Sequence, residues 1–438
     1  MNRVYLVEEF MYRVDFESYQ PTENEVKHIG ELLGQPTRKL SVVQDRYRYI
    51  FRNLVEKKCA RSGDYSLCIY TWRTNTPLRL FPLALHVHGT IILFEKEKPR
   101  ETLAYPFNKP LSYNKSPGLS PIEYQDKTPR EVTTRVDGWH LTAYYNPLIN
   151  QWIFATRYTL HNMYYSRKQL VVDPVETISN PYVELADKIA SRDGLYEKLA
   201  KYKNWTFTFV LEGPEPAITK PPYPIGVEPE KYKLYLLIAR DPSGKIYTWS
   251  ETRKLLDYET PSLIEPRRLG ELYDEARRRL DIRSYFAFID TDDPENPVIA
   301  ELESDYYQDA MNAKYLNDAK SAALLTCEGL AHELSRLLGD QRGEIVLEID
   351  NCRKRLEEVV LNQLSLHGAW RTASTIVGKL IEVNVKSIKQ EEVLKALTER
   401  NIKRVVKKIM STLLEGKNLL RSESVKTLRD YVEKLSMS

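Results

Sequence analysis

Strand-like and helix-like texture occupy different parts of this chain, and that segregation limits its fold more than any single motif. Between residues 65 and 160 the sequence breaks into short β-branched and aromatic runs, YSLCIYTW, ALHVHGTIILF, EVTTRVDGWHLTAYY and QWIFATRYTL, separated by Pro-, Asn- and Gly-rich turns. Such runs read as antiparallel strands, with NPLINQ between Tyr145 and Trp152 as a hairpin turn. NWTFTFVLEG and KYKLYLLIARDPSGKIYTW return to strand after a helix at about 181–201. The Pro-rich stretch between those two runs is a surface loop. A helix at about 268–279 precedes two last strands, RSYFAFID and PVIAELES, joined by the acidic turn TDDPEN. After Tyr307 every segment carries helical spacing. The pattern predicts an α+β protein: antiparallel sheets with flanking helices over 1–312, opened by a helical segment over 1–60, then an all-helical domain over 313–438.

At 438 residues the chain is long enough for two or three domains. Apolar content of 42% against 29% charged residues fits an ordinary globular protein, and nowhere do eighteen apolar residues run together. The first residues, MNRVYLVEEFMYRVDF, carry charges where a signal peptide needs an apolar stretch, so a cytoplasmic location and no membrane contact are expected. Cys59, Cys68, Cys327 and Cys352 form no CxxC, which predicts buried free thiols. The abundance of Tyr, Glu, Lys and Arg with little Gln fits a heat-adapted source.

Net charge is only +3, but it is unevenly placed. From residue 367 onward fifteen Lys or Arg face eight Asp or Glu, a net of +7, which leaves −4 for everything before. A basic tail on a mildly acidic body fits a module that meets phosphates. Within it, ERNIKRVVKKIM places Arg400, Lys403, Arg404, Lys407 and Lys408 at helical spacing, opposite Ile402, Val405, Val406 and Ile409. In the sheet region Tyr144, Tyr145, Trp152, Tyr158, Tyr164 and Tyr165 mix with Arg157, Arg167 and Lys168, a combination suited to stacking on unpaired bases.

Several segments, in collinear order, resemble the phage-type RNA ligase family of covalent nucleotidyltransferases. EVTTRVDGWHLTAYYNPLINQWIFATR is similar to its first two motifs, a lysine, a spacer, Asp-Gly, a hairpin and a second strand. Upstream, Gly89, Pro106 and Lys109 match in spacing. Downstream, KNWTFTFVLEGP, KLYLLIARDPSGKIYTWSE, RSYFAFI and VIAELESDYY match in position, with Ser304, Asp305 and Tyr307 fitting well. The resemblance covers roughly 65–310 and implies a ligase-type nucleotidyltransferase fold. It also implies a helical C-terminal domain that helps to recognise tRNA.

Departures from the family pattern fall on the chemistry. The nucleophilic lysine position holds Arg135, and a guanidinium stays protonated and cannot attack phosphorus. Asp137 and Gly138 are retained but Trp139 follows them, and Thr208 stands where the ribose-binding glutamate belongs. Arg283 and Ser284 replace a Glu-Gly pair. The final Lys-x-Lys reads Glu301, Leu302, Glu303. Turning a ligand-facing cation into an anion swings the interaction by about 2 kcal/mol at 4 Å in water, and more in a cleft. Two such changes disfavour a triphosphate in that pose.

These residues predict a pseudoenzyme without cofactor or metal that binds structured RNA, either tRNA or ribosomal RNA. Its contacts would come from Lys109, Arg157, Arg167, Lys168, Arg400, Lys403, Arg404, Lys407 and Lys408. Two alternatives stay open: a divergent ligase with a relocated lysine, for which Lys109 is best placed, and an assembly factor taking a basic peptide at an acidic former nucleotide pocket around Glu301 and Glu303. His86 and His88, alternating on an expected strand, point the same way without an evident third metal ligand. The acidic set Asp290, Asp292, Asp293, Glu295, Glu301, Glu303 and Asp305 reads mainly as a solvated hairpin tip.

Overall fold

The computed structural model describes residues 2–73, 83–115, 118–166, 169–172, 180–214, 229–293, 295–385 and 387–437; of 164–166 and 169–172 it describes the backbone. The chain divides into two compact units, one formed by Met1–Ala276 with Ile282–Glu303, the other by Arg277–Asp281 with Ser304–Ser438.

The first unit opens with three helices, α1 (Arg3–Phe16), α2 (Glu23–Leu32) and α3 (Leu40–Asn53). Thr22 and Glu25 form a reciprocal capping box at the start of α2. Their apolar faces cover a four-stranded antiparallel sheet made of β1 (Val55–Ser62), β2 (Tyr65–Trp72), β3 (Thr90–Glu95) and β4 (Lys98–Ala104). A short helix, α4 (Ala84–Val87), lies between β2 and β3.

Two further sheets carry the centre of the unit. Its next elements in chain order are β5 (Leu111–Ser112), α5 (Pro121–Tyr124), β6 (Glu131–Thr134), β7 (Trp139–Asn146) and β8 (Gln151–Thr156). They are followed by β9 (Met163–Ser166), β10 (Gln169–Val172), α6 (Pro181–Arg192), α7 (Leu195–Leu199), β11 (Thr206–Glu212), β12 (Lys233–Arg240) and α8 (Trp249–Leu256). The last four are β13 (Leu263–Ile264), α9 (Leu269–Ala276), β14 (Ser284–Ile289) and β15 (Val298–Glu303). One sheet runs β12-β11-β7-β8 and the other β13-β6-β14-β15-β5, antiparallel except where β15 meets β5. Val210, Leu237 and Ile238 of the first sheet pack on Phe286, Phe288 and Ile299 of the second, and α6 and α7 bury Val183, Ile189, Leu195 and Leu199 against the outer face of the first.

The segment between β6 and β7 connects the two sheets. A methyl group on Gly138 would lie 2.3 Å from the carbonyl oxygen of Leu211 on β11, closer than any side chain can approach. Glycine there lets the chain pass from one sheet to the other, which gives the Asp-Gly pair a packing role of its own.

The second unit is helical, with α10 (Asp305–Tyr315), α11 (Ala319–Cys327), α12 (Ala331–Leu338), α13 (Asp340–Glu382), α14 (Gln390–Thr398), α15 (Ile402–Leu413) and α16 (Ser422–Ser436). Gly368 interrupts α13 with a left-handed backbone, φ 73°, a conformation that glycine adopts without steric cost. No described helix is long and apolar enough to cross a membrane.

Strands and helices therefore form the α+β architecture that the sequence texture predicts, and the Tyr145–Trp152 hairpin pairs as expected. Three local expectations change. The opening helices end at Asn53, because Val55–Ser62 pairs residue by residue with Tyr65–Trp72. His86 lies in the helical turn α4, with His88 just beyond it, so the two do not alternate on a strand. Cys59 and Cys68 are not free thiols: they face each other across β1 and β2 and form a disulfide. Cys327 and Cys352 are buried and free, as expected. Thiol titration in denaturant will count two thiols without reductant and four with it; four in both conditions contradicts the cross-strand bond.

Candidate functional site

Backbone pairing brings distant motif residues together. Arg135 follows β6, and its amide donates to the carbonyl of Ser284 on β14 at 2.9 Å. Phe286 of β14 faces Glu301 of β15. Glu301 and Glu303, two residues apart on one strand, share a face, and Arg283 stands at the entry to β14. Thr208, in contrast, is buried inside the β11 ladder opposite Thr142 and Ile238.

Each of these charged side chains faces an opposite charge. Arg135 Nη1 bonds Glu301, which also accepts from Ser284 Oγ at 3.0 Å. Both partners are largely covered, with 17% and 11% of their side chains exposed. Arg283 Nη1 bonds Asp137 at 2.7 Å. Glu303 accepts from Ser112 Oγ at 3.3 Å and from Lys115. Glu301 and Glu303, which the sequence presents as two unopposed anions, each face a cation within the unit.

Beside these pairs lies a cavity of about 460 Å³ whose walls are cationic and aromatic. Its lining includes Arg135, Arg157 and Arg283, the histidines His88 and His140, the aromatics Trp139, Tyr158 and Tyr182, and Asn180 at the start of α6. His88 Nδ1 shares a hydrogen bond with Thr71 Oγ1 at 2.9 Å, and its ring stacks on Trp72 at 3.9 Å. Burial, with Arg157 and Lys109 adding repulsion, holds His88 well below the usual imidazole range. His140 is held down in the same sense by burial and by Arg157 and Arg135. Both imidazoles are neutral at neutral pH. Arg157 is pushed down to about 10 by burial, which Tyr158 and Glu301 oppose and Arg135 reinforces, so it remains charged.

The remaining candidates fall elsewhere. Lys109 Nζ lies 4.9 Å over the Trp72 ring, and burial followed by Arg157 pushes its amine down, partly offset by Glu301. His86 shares a hydrogen bond with Tyr105 rather than a site with His88. Arg167 and Lys168 lie outside the described residues. Tyr144 is core, whereas Tyr158 is 53% exposed. Asp290 pairs with Arg130 and Asp293 with Arg3, and among the described residues no three His, Cys, Asp or Glu side chains converge to hold a metal ion.

In the helical unit, α15 buries Val405, Val406 and Ile409 and turns Lys403, Arg404 and Lys408 outward, with Lys407 partly covered. Arg400 does not belong to this stripe, because its left-handed backbone, φ 53°, places it before the helix begins. Lys403 and Lys407 both donate to Glu328 at 2.6 Å. Burial raises the Glu328 carboxyl, but these two bonds outweigh it and bring the group down to about 2. Lys408 pairs with Glu392 at 3.4 Å and Arg404 with Glu399 at 3.9 Å. Exposed pairs of this kind contribute roughly 0–1 kcal/mol, so exchanging a carboxylate for a phosphate costs little.

No protein-family model matches the chain, and no curated protein matches it in sequence. Solved structures similar to it are RNA ligases. An archaeal ATP-dependent RNA ligase, solved in two forms, aligns at 14% identity and a TM-score of 0.42 over 73% of this chain and 79% of that one. An RNA ligase mutant from Naegleria gruberi with ATP and manganese aligns at 15% identity and a TM-score of 0.29, over 42% of this chain and 52% of that one.

The site's pairing makes a quantitative prediction. Removing one partner of a covered ion pair strands the other, at a cost of about 3 kcal/mol or more. Glu301→Leu and Arg135→Met will each destabilise the protein by about that amount in denaturant titration. The double substitution will cost clearly less than the sum, with a coupling of at least about 1 kcal/mol. Additive losses would mean the two side chains do not depend on each other.

Proposed function

We propose that the chain binds structured RNA, such as tRNA or ribosomal RNA, in a ligase-like body that no longer carries out covalent adenylation. The observation that carries this reading is the Arg135–Glu301 pair. The position that resembles the ligase nucleophile holds an amidinium-type cation without a nucleophilic lone pair. The position that resembles a triphosphate-binding lysine holds the carboxylate that neutralises it. Arg283, at a position where the family pattern has a carboxylate, pairs with the retained Asp137. What remains is a cationic, aromatic cavity in one unit and an outward-facing basic helix in the other, the two kinds of surface that phosphates and unpaired bases favour.

A second reading, a ligase with Lys109 as relocated nucleophile, has one observation in its favour. A lysine held below its usual range by burial and a neighbouring guanidinium is more readily deprotonated. Against it, Lys109 is not among the residues lining the cavity, and its ammonium sits over the Trp72 ring.

Filter binding of tRNA and ribosomal RNA fragments over a range of salt tests the first reading. Affinity will fall with rising salt, and replacing Lys403, Arg404, Lys407 and Lys408 by Gln will flatten that slope by roughly one for each lost phosphate contact. Absence of RNA affinity at moderate salt, or an unchanged slope in the variant, refutes it.

A further inference from the structure

Helices α11, α14 and α15 of the second unit leave a groove of about 300 Å³ between them. The link from α14 to α15 is short and closed by hydrogen bonds. Arg400 takes a left-handed backbone and its amide donates to the Leu397 carbonyl at 3.0 Å, while the Asn401 amide donates to the Ala396 carbonyl at 2.8 Å, the paired bonds that finish a helix. The Asn401 side chain then starts α15 by accepting from the Arg404 amide at 3.0 Å. Leu324 of α11, Val393 and Ala396 of α14 and Val405 of α15 give the groove its apolar lining. Ala396 is the smallest of the four, and an aromatic ring in its place would occupy the space.

The rim of the groove is charged. Arg404 and Lys408, one turn apart on α15, stand with Glu392 of α14. Lys407 lends the lining its aliphatic stem, because its ammonium is held by Glu328 at 2.6 Å. Neither rim cation is tightly engaged: Lys408 reaches Glu392 at 3.4 Å with 47% of its side chain exposed, and Arg404 reaches Glu399 at 3.9 Å with 62% exposed. Exchanging such a carboxylate for one from outside costs little. A phosphate backbone would account for these cations but not for the groove, since phosphates need donors and not an aliphatic surface. A base is no better suited, because no aromatic ring among the described residues lines the groove, and unpaired bases favour rings to stack on.

We propose that the groove docks an acidic amphipathic helix of a partner protein, its aliphatic side chains against Val393, Ala396 and Val405 and its carboxylates at Arg404 and Lys408. Aliphatic residues four apart fall on one face of such a helix. The groove takes them as anchors, and the charges at its edge select the partner. A volume of about 300 Å³ accepts a pair of aliphatic side chains but lies at the lower limit for a cofactor-sized ligand. Docking of this kind does not depend on RNA binding. Where RNA also uses the basic face of α15, the docked helix covers Arg404 and Lys408 and denies them to phosphates.

Fluorescence anisotropy of the full chain with a labelled helical peptide, two leucines four residues apart among glutamates, reads the contact directly. The peptide will bind saturably, and a version with both leucines changed to Ala will bind roughly tenfold or more weakly, the effect of losing two buried side chains. Glu392→Gln, at an exposed position, removes the carboxylate that competes for Lys408 and will tighten binding roughly threefold. Ala396→Phe will fill the groove and abolish peptide binding while leaving filter binding of RNA as it was. Equal affinity for the Leu and Ala peptides, or no binding of either, overturns the docking site and leaves the RNA reading untouched, just as absence of RNA affinity refutes that reading alone. A parallel loss of RNA affinity in Ala396→Phe would give the groove to nucleic acid, and a concentration-dependent dimer in sedimentation that Ala396→Phe dissolves would give it to a second copy of the chain. Either result overturns the partner-helix assignment. Should Ala396→Phe fail to fold in a thermal melt, the two peptides on the native protein and on Glu392→Gln still decide.

Discussion

A single ion pair, Arg135 with Glu301, joins the segment after β6 to β15 across β14 and sets the character of everything around it. Two covered charges in contact hold each other, but a lone one in that place would have to be solvated or neutralised. By pairing, Arg135 and Glu301 neutralise each other within the sheet. The Ser284 hydroxyl satisfies another lone pair of the same carboxylate, so the pair is held from two strands. Arg283 and Asp137 form a second such pair at 2.7 Å, and both Arg135 and Arg283 line the cavity that Arg157 also enters.

Much of the fold was legible because it rests on local signals. Period-two runs bounded by Pro, Asn and Gly gave the strands, and Asn146 shows why: its side chain accepts from the Leu148 amide at 3.0 Å and shapes the turn between β7 and β8. Helical periodicity likewise marked α10 to α16. Local reading failed where the deciding partner was remote or the segment short. ALHV alternates like a strand, yet four residues of α4 form a turn in which Val87 and Ala84 bury into the helical layer. Cys59 and Cys68 are nine residues apart, and only strand register reveals that they face each other.

The candidate site was legible as a set of positions but not as an electrostatic whole. Sequence separation hides that Arg135 and Glu301, 166 residues apart, touch, so the anions at 301 and 303 were read without the cations that face them. Arg157 read as one of several basic residues among aromatics, with nothing to mark it as part of a cavity wall. In the helical unit, the stripe at 403–408 was read correctly as amphipathic, while Arg400 was misplaced because Asn401, which caps α15 through its side chain, ends the periodicity one residue after it.

Intact-mass spectrometry after incubation with ATP and magnesium is the decisive measurement for the proposal that the Arg135–Glu301 pair leaves the protein without covalent nucleotide transfer. An unchanged protein mass at any nucleotide concentration is expected. A species heavier by one adenylate, stable to denaturation and mapped by peptide analysis to any lysine of the first unit, would contradict it.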